Sequence, residues 1–187
     1  MSTDMGFLNK WKKKVKSDAP DSNDSNYRNI IDLFDIDVET KTLLEQCIEN
    51  PGGFYQEHVD QYEERGLEDS ADNDTIIWLG MVDAFIEAGK LFEFDYSVGR
   101  DDFIYGMSEI IPGNSLHIDE NQLDEDSDIT EWTKILSKQW SDEGYVIAAM
   151  DIDSDSYCVF IPTRETFDKL VMEAEKTGHR IDLAQNL

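Results

Sequence analysis

The chain has 187 residues, 16 of them Lys or Arg and 42 of them Asp or Glu, for a formal charge of −26. That balance excludes a basic nucleic-acid surface, which needs cations to displace counterions from phosphates, so no direct nucleic-acid binding is expected. With 40% hydrophobic and 11% aromatic residues, whole-chain disorder is excluded too, and the length suffices for one sizeable core.

The charge is divided unevenly along the chain. Residues 1–16 carry five lysines against Asp4, or +4, so the other 171 residues hold −30. In MGFLNKWKKKVK (5–16), Phe7, Trp11 and Val15 recur at i, i+4, i+8 with Leu8 beside them. On a helix they form one narrow apolar stripe between lysines. Residues 1–16 therefore read as a cationic amphipathic leader, in which Phe7, Leu8, Trp11, Lys12, Lys13 and Lys14 would contact a partner or, weakly, a membrane surface. Docking back onto the acidic body is the competing expectation for the leader. Residues 17–26 (SDAPDSNDSN) have linker composition, and 27–187 read as a single acidic domain.

Residues 27–38 are apolar enough to join that domain, but their period is ambiguous. From Thr40, read as an N-cap, Leu43, Leu44, Cys47 and Ile48 share a helical face that Pro51-Gly52 should end. One aromatic helix follows with Phe54, Tyr55, His58, Val59 and Tyr62, closed by Gly66. Asp74 is positioned to cap TIIWLGMVDAFIEAG, whose only charges are Asp83 and Glu87, so this should be the most buried helix. LFEFDYS (91–97) alternates like a half-buried strand. Asp101 is read as the cap of a helix bearing Phe103, Ile104, Met107, Ile110 and Ile111. Residues 119–128 hold six acids in ten positions and read as an exposed loop. Ile129, Trp132, Ile135, Leu136 and Trp140 then mark another amphipathic helix.

YVIAAMDI (145–152) and YCVFIP (157–162) are apolar, β-rich runs separated by Asp153-Ser154-Asp155-Ser156. They predict a hairpin buried on both faces and hence central in its sheet. Thr163 should cap a helix closed by Gly178, and a short strand around Ile181 and Leu183 finishes the chain. The expected class is α+β, with a largely antiparallel sheet, a central C-terminal hairpin and covering amphipathic helices.

Motifs for chemistry are scarce. Cys47 and Cys158 lie in no C-x-x-C pair, so they read as reduced, buried thiols of a cytoplasmic protein. No apolar run reaches 18 residues, and the leader has no signal-peptide core, so its contact with the inner membrane surface is the one expected route to a peripheral location. His58, His117 and His179 have no zinc-ligand spacing, and no nucleophile elbow or phosphate-cradling loop is present. The only compact set of potential ligands is Asp151, Asp153 and Asp155, which could hold a divalent cation through oxygen. As a calcium loop it fails: Ser156 stands at the glycine position and Pro162 at the bidentate glutamate position. Asp and Ser also favour tight turns by bonding nearby backbone groups, which explains the same residues without a metal.

TIIWLGMVDAFIEAGKLFEFDY (75–96), with its core Trp78, Leu79, Val82 and Asp83, resembles an uncharacterised bacterial family known only as a domain of unknown function. GYVIAAMDIDSDSYCVFIP (144–162) resembles the second block of that family, so the likeness spans about residues 40–184. MGFLNKWKKK is similar to polybasic starts of small bacterial proteins, some encoded near toxin–immunity loci. The resemblance implies no catalytic residue set. The leading expectation is a non-enzymatic interaction module, immunity-like or a charge mimic, that binds a basic protein. The alternative is a metal-dependent hydrolase or small-ligand binder using Asp151, Asp153 and Asp155.

Overall fold

A computed structural model describes residues 23–68, 71–113 and 116–187. The helices are α1 (Asp24–Leu33), α2 (Val38–Glu49), α3 (Pro51–Glu57), α4 (Val59–Glu64), α5 (Asn73–Glu87), α6 (Arg100–Ile110), α7 (Ile129–Gln139) and α8 (Arg164–Thr177). The strands are β1 (Phe92–Asp95), β2 (Ala148–Met150), β3 (Ser156–Phe160) and β4 (Ile181–Leu183). They form one antiparallel sheet in the order β1-β3-β2-β4, so the fold is α+β with the C-terminal hairpin at its centre.

Strand alternation sorts side chains into two cores. Ala148, Met150, Cys158, Phe160 and Ile181 face α1, α2, α5 and α8, while Ile147, Ala149, Val159 and Phe94 face α6 and α7. Burial from both sides is what the unbroken apolar runs of β2 and β3 require. β1 alternates between the two environments. Phe92 and Phe94 pack on the α6 side, whereas Glu93 meets Arg65, which also bonds Asp83 of α5.

Helix α5 carries nine buried residues, more than any other described helix, as its narrow polar stripe predicts. Several boundaries differ from the expected ones. α2 is capped by Asp37, whose carboxylate accepts the Thr40 N–H at 2.8 Å; Thr40 is the donor, not the cap. α2 does end at Glu49, just before Pro51-Gly52, but Pro51 also opens α3, because a proline at the first helical position loses no intrahelical bond. The aromatic helix is two pieces, α3 and α4, broken at His58 with φ −121°. Asp72, not Asp74, caps α5, and α6 starts after Gly99 without a side-chain cap, so Asp101 lies in its first turn. α1 begins at Asp24, inside the segment read as linker. Thr163 caps α8 and Gly178 ends it at φ +83°, as expected.

Candidate functional site

The acidic hairpin turn closes largely on itself. The Asp153 N–H donates to the Asp151 carboxylate at 2.9 Å, and the Ser156 N–H donates to Ser154 Oγ at 3.1 Å. Asp153 adopts a left-handed conformation, φ +56°, that aspartate tolerates better than most residues. The backbone of the turn is bonded outward. Asp151 O accepts the Trp78 indole N–H at 2.7 Å, and Asp155 O accepts the Tyr96 N–H at 3.1 Å. Asp151 lies 3.9 Å from the Arg180 guanidinium, while Asp153 and Asp155 are exposed. Among the described residues, no three His, Cys, Asp or Glu side chains are grouped as a metal site would require.

Two clefts flank this turn. The larger, about 680 Å³, is bordered by Arg65, Trp78, Glu93, Asp151 and His179; the smaller, about 310 Å³, lies between Tyr96, Asp155 and Arg180. The charges in the larger cleft are mostly paired. Arg65 Nε donates to Asp83 at 2.7 Å and Nη2 to Glu93 at 2.9 Å. Burial raises the Asp83 carboxyl above its ordinary range, and Arg65 opposes that rise. Burial alone would lower the Arg65 value, but its bonds to the two carboxylates hold it above the ordinary one. His179 stacks on Trp78 and contacts Asp74 O at 3.2 Å, and burial lowers its pKa.

The other nucleophilic or ligating side chains are dispersed. Cys47 and Cys158 are free and buried, and burial pushes the Cys47 thiol up to about 12, well away from a reactive thiolate. His58 stacks on Phe54, and His117 is exposed.

A second candidate surface lies across the sheet, on α6. Its inner face packs Phe103 and Met107 into the core. Its outer face presents Tyr105, 61% exposed, with Asp101, Asp102 and Glu109 at i−4, i−3 and i+4. Tyr96, at the end of β1, is 63% exposed. Arg100 bonds Glu125 at 2.7 Å and Asp101 at 3.2 Å, tying the acidic 119–128 segment to the start of α6. Residues 91–133 contain 12 acids and one Arg, so this arginine lies among carboxylates.

Sequence reasoning singled out the turn aspartates but missed Arg65, His179 and Arg180, whose neighbours are distant in the chain. Tyr105 was missed as well, although its place outside the apolar stripe of its own helix is a signal that could have found it. Phe7, Leu8, Trp11, Lys12, Lys13 and Lys14 lie outside the described residues. Among the described residues, no helix is long and apolar enough to cross a membrane.

Residues 26–184 match the family described as Domain of unknown function (DUF6630), and the chain belongs to it. No curated protein and no solved structure matches the chain.

Proposed function

We infer that this DUF6630 chain is a non-enzymatic binding module whose partner is a basic protein, met on the outer face of α6. The observation that carries this reading is Tyr105, a large side chain 61% exposed within one helical turn of three carboxylates. Tyrosine is enriched where interfaces concentrate their energy, and a surrounding acidic field steers a cationic partner into place. Immunity-like neutralisation and charge mimicry are the forms of action that such a surface suits. The paired charges of the larger cleft and the raised thiol pKa of Cys47 agree with a role without chemistry.

The test begins with the tagged protein and lysate of its source at low salt. A retained protein is identified, purified and titrated against wild type and against Tyr105→Ala/Asp101→Asn/Asp102→Asn. Loss of Tyr105 alone is expected to cost about 2 kcal/mol of binding, as for an interface anchor. The triple variant should also flatten the salt dependence. No retained basic protein, or equal binding by the triple variant, would sink the reading.

One observation favours a second reading, a small-ligand binder. The Asp151–Asp155 turn separates two clefts that share Asp151, Ser154, Ser156 and Arg180. If a small ligand sits there, Arg180→Ala should abolish its thermal stabilisation of the protein, whereas Tyr105→Ala should leave it intact.

A further inference from the structure

The layer opposite α6 has an apolar groove that the reading above does not use. It has a volume of about 560 Å³ and lies between α8 and β4, an edge strand of the sheet. Its apolar wall is Phe167, Val171 and Met172, and Met172 is 59% exposed. Asp168, Glu175 and Asp182 supply carboxylates along it. Arg180, the cation at its border, is engaged by Asp182 at 2.7 Å.

We propose that this groove is the docking site of the chain's own leader, with the stripe Phe7, Trp11 and Val15 seated on Phe167, Val171 and Met172.

Three features choose this occupant over others. The first is complementarity: an apolar stripe flanked by Lys10, Lys12, Lys13, Lys14 and Lys16 faces an apolar wall flanked by three carboxylates. The second is length. From Phe7 to Val15 and from Phe167 to Glu175 there are eight steps each, about 12 Å at the helical rise. The third is the point where the described chain starts. The Asn23 amide bonds the Asp74 carboxylate at 3.3 Å, and the carbonyl of the same Asp74 contacts His179, which borders the groove. From there α1 runs antiparallel along α8, with Tyr27 near His179 and Asn29 bonded to Glu173 at 3.0 Å. The eight steps between Val15 and Asn23 span up to about 26 Å, enough to place Val15 beside Glu175 and Phe7 beside Phe167. Because the tether makes this contact intramolecular, a short stripe too weak to bind a separate molecule is held at high effective concentration.

Trp11 reports the contact directly. The other tryptophans, Trp78, Trp132 and Trp140, are each at most 2% exposed. Subtracting the fluorescence of Trp11→Phe from that of the full-length protein isolates Trp11. Quenching by acrylamide, a neutral probe, should then be several-fold weaker for Trp11 in the wild type than in Met172→Asp. That substitution is at an exposed position, so the fold survives it, which far-UV circular dichroism verifies. Met172→Leu should keep the protection, and Tyr105→Ala should not alter it, which separates this contact from the α6 surface. Equal quenching of Trp11 in wild type and Met172→Asp would overturn the proposal. Protection that disappears on dilution would also overturn it, since the occupant would then be the leader of a second copy.

Discussion

The imidazole of His179 lies flat on the indole of Trp78, with ring centroids 4.4 Å apart and planes 4° from parallel. The pair joins three segments distant in sequence. Trp78 bonds the hairpin turn at Asp151 O, and His179 follows the αL glycine that ends α8. Tyr27 of α1 stands 6.2 Å from the imidazole and donates to the Asp74 carboxylate at 2.8 Å. Turn, helix end and first helix thus meet at one aromatic contact.

This contact predicts a pH dependence. Burial lowers the His179 pKa in the folded state, with Asp74, Asp72 and Asp151 pulling the other way. The unfolded chain therefore takes up the proton more readily, so the fold loses stability as pH falls below the ordinary histidine value of 6.5 and continues to do so until folded His179 is itself protonated. Urea midpoints at pH 7.5, 6.0 and 5.0 should fall for the wild type. The decline over this range should be smaller for His179→Gln, which keeps a planar polar side chain without the titration. The lowered carboxylates Asp37 and Asp72 contribute only at more acidic pH. Equal declines in both proteins would refute this assignment.

Arg65 leads to a prediction of larger size. It is the cation that both Asp83 and Glu93 bond, and Asp83 is only 11% exposed. Removing it strands Asp83 in a site that already raises its pKa. Arg65→Ala is expected to destabilise the protein by about 3–5 kcal/mol, the range for breaking one side of a buried pair. Arg65→Met/Asp83→Leu should recover much of that loss, because the stranded buried carboxylate is gone and Glu93, which also loses its partner, is 29% exposed and keeps access to water. Chemical denaturation of both variants measures the difference. A double variant no more stable than the single one would show that the cost lies in packing by the arginine stem rather than in the stranded charge.

The sequence made some of this legible and not the rest, for identifiable reasons. The central hairpin was readable because residues 145–152 and 157–162 are apolar at successive positions, which only burial on both faces explains. The helix caps were harder. Asp37 and Thr40 both belong to one cap, as acceptor and donor, and composition alone does not say which residue takes which role. Asp72 and Asp74 present the same ambiguity, settled by the 2.9 Å bond from the Thr75 N–H to Asp72. Contacts such as Trp78 with His179, 101 positions apart in the chain, leave no local periodicity to read. Tyr105 went unread, although subtraction could have found it, as the aromatic residue left off the buried face of α6.

Gly106 sets how closely α6 approaches β1. A Cβ added there would lie 2.5 Å from Phe94 Cε1 and 2.7 Å from Phe92 Cε1, separations that van der Waals radii do not permit. Phe94 is also confined by Phe103, at a centroid distance of 5.3 Å, so it has little room to yield. Gly106→Ala would gain helix propensity but should still destabilise the protein by about 1–3 kcal/mol through overpacking. Gly52, with nothing within 4 Å of an added Cβ, is the control, and Gly52→Ala should be neutral or slightly stabilising. Denaturant midpoints of the two variants should shift in different directions or by clearly unequal amounts. A neutral Gly106→Ala would mean that α6 can move away from the sheet without cost.

The acidic turn makes the last prediction, one about cations. Asp151 accepts the Asp153 N–H and lies near Arg180, while Asp153 and Asp155 stand exposed, so the three carboxylates are not arranged around one centre. Ca²⁺, Mg²⁺ and Mn²⁺ should nonetheless raise the melting temperature, because any salt screens self-repulsion in a chain of charge −26. The rise should be the same in wild type and in Asp153→Asn/Asp155→Asn, whose backbone needs are met because asparagine also tolerates the left-handed conformation at 153. A dedicated site filled at a hundred times its Kd would add about 2.7 kcal/mol. At this chain length that is roughly 5–10 °C, easily separated from screening by comparing each divalent salt with NaCl at equal ionic strength. A divalent-specific rise of that size in the wild type, absent from the double variant, would establish a cation site at the turn and favour the ligand-binding reading over a purely protein-binding one.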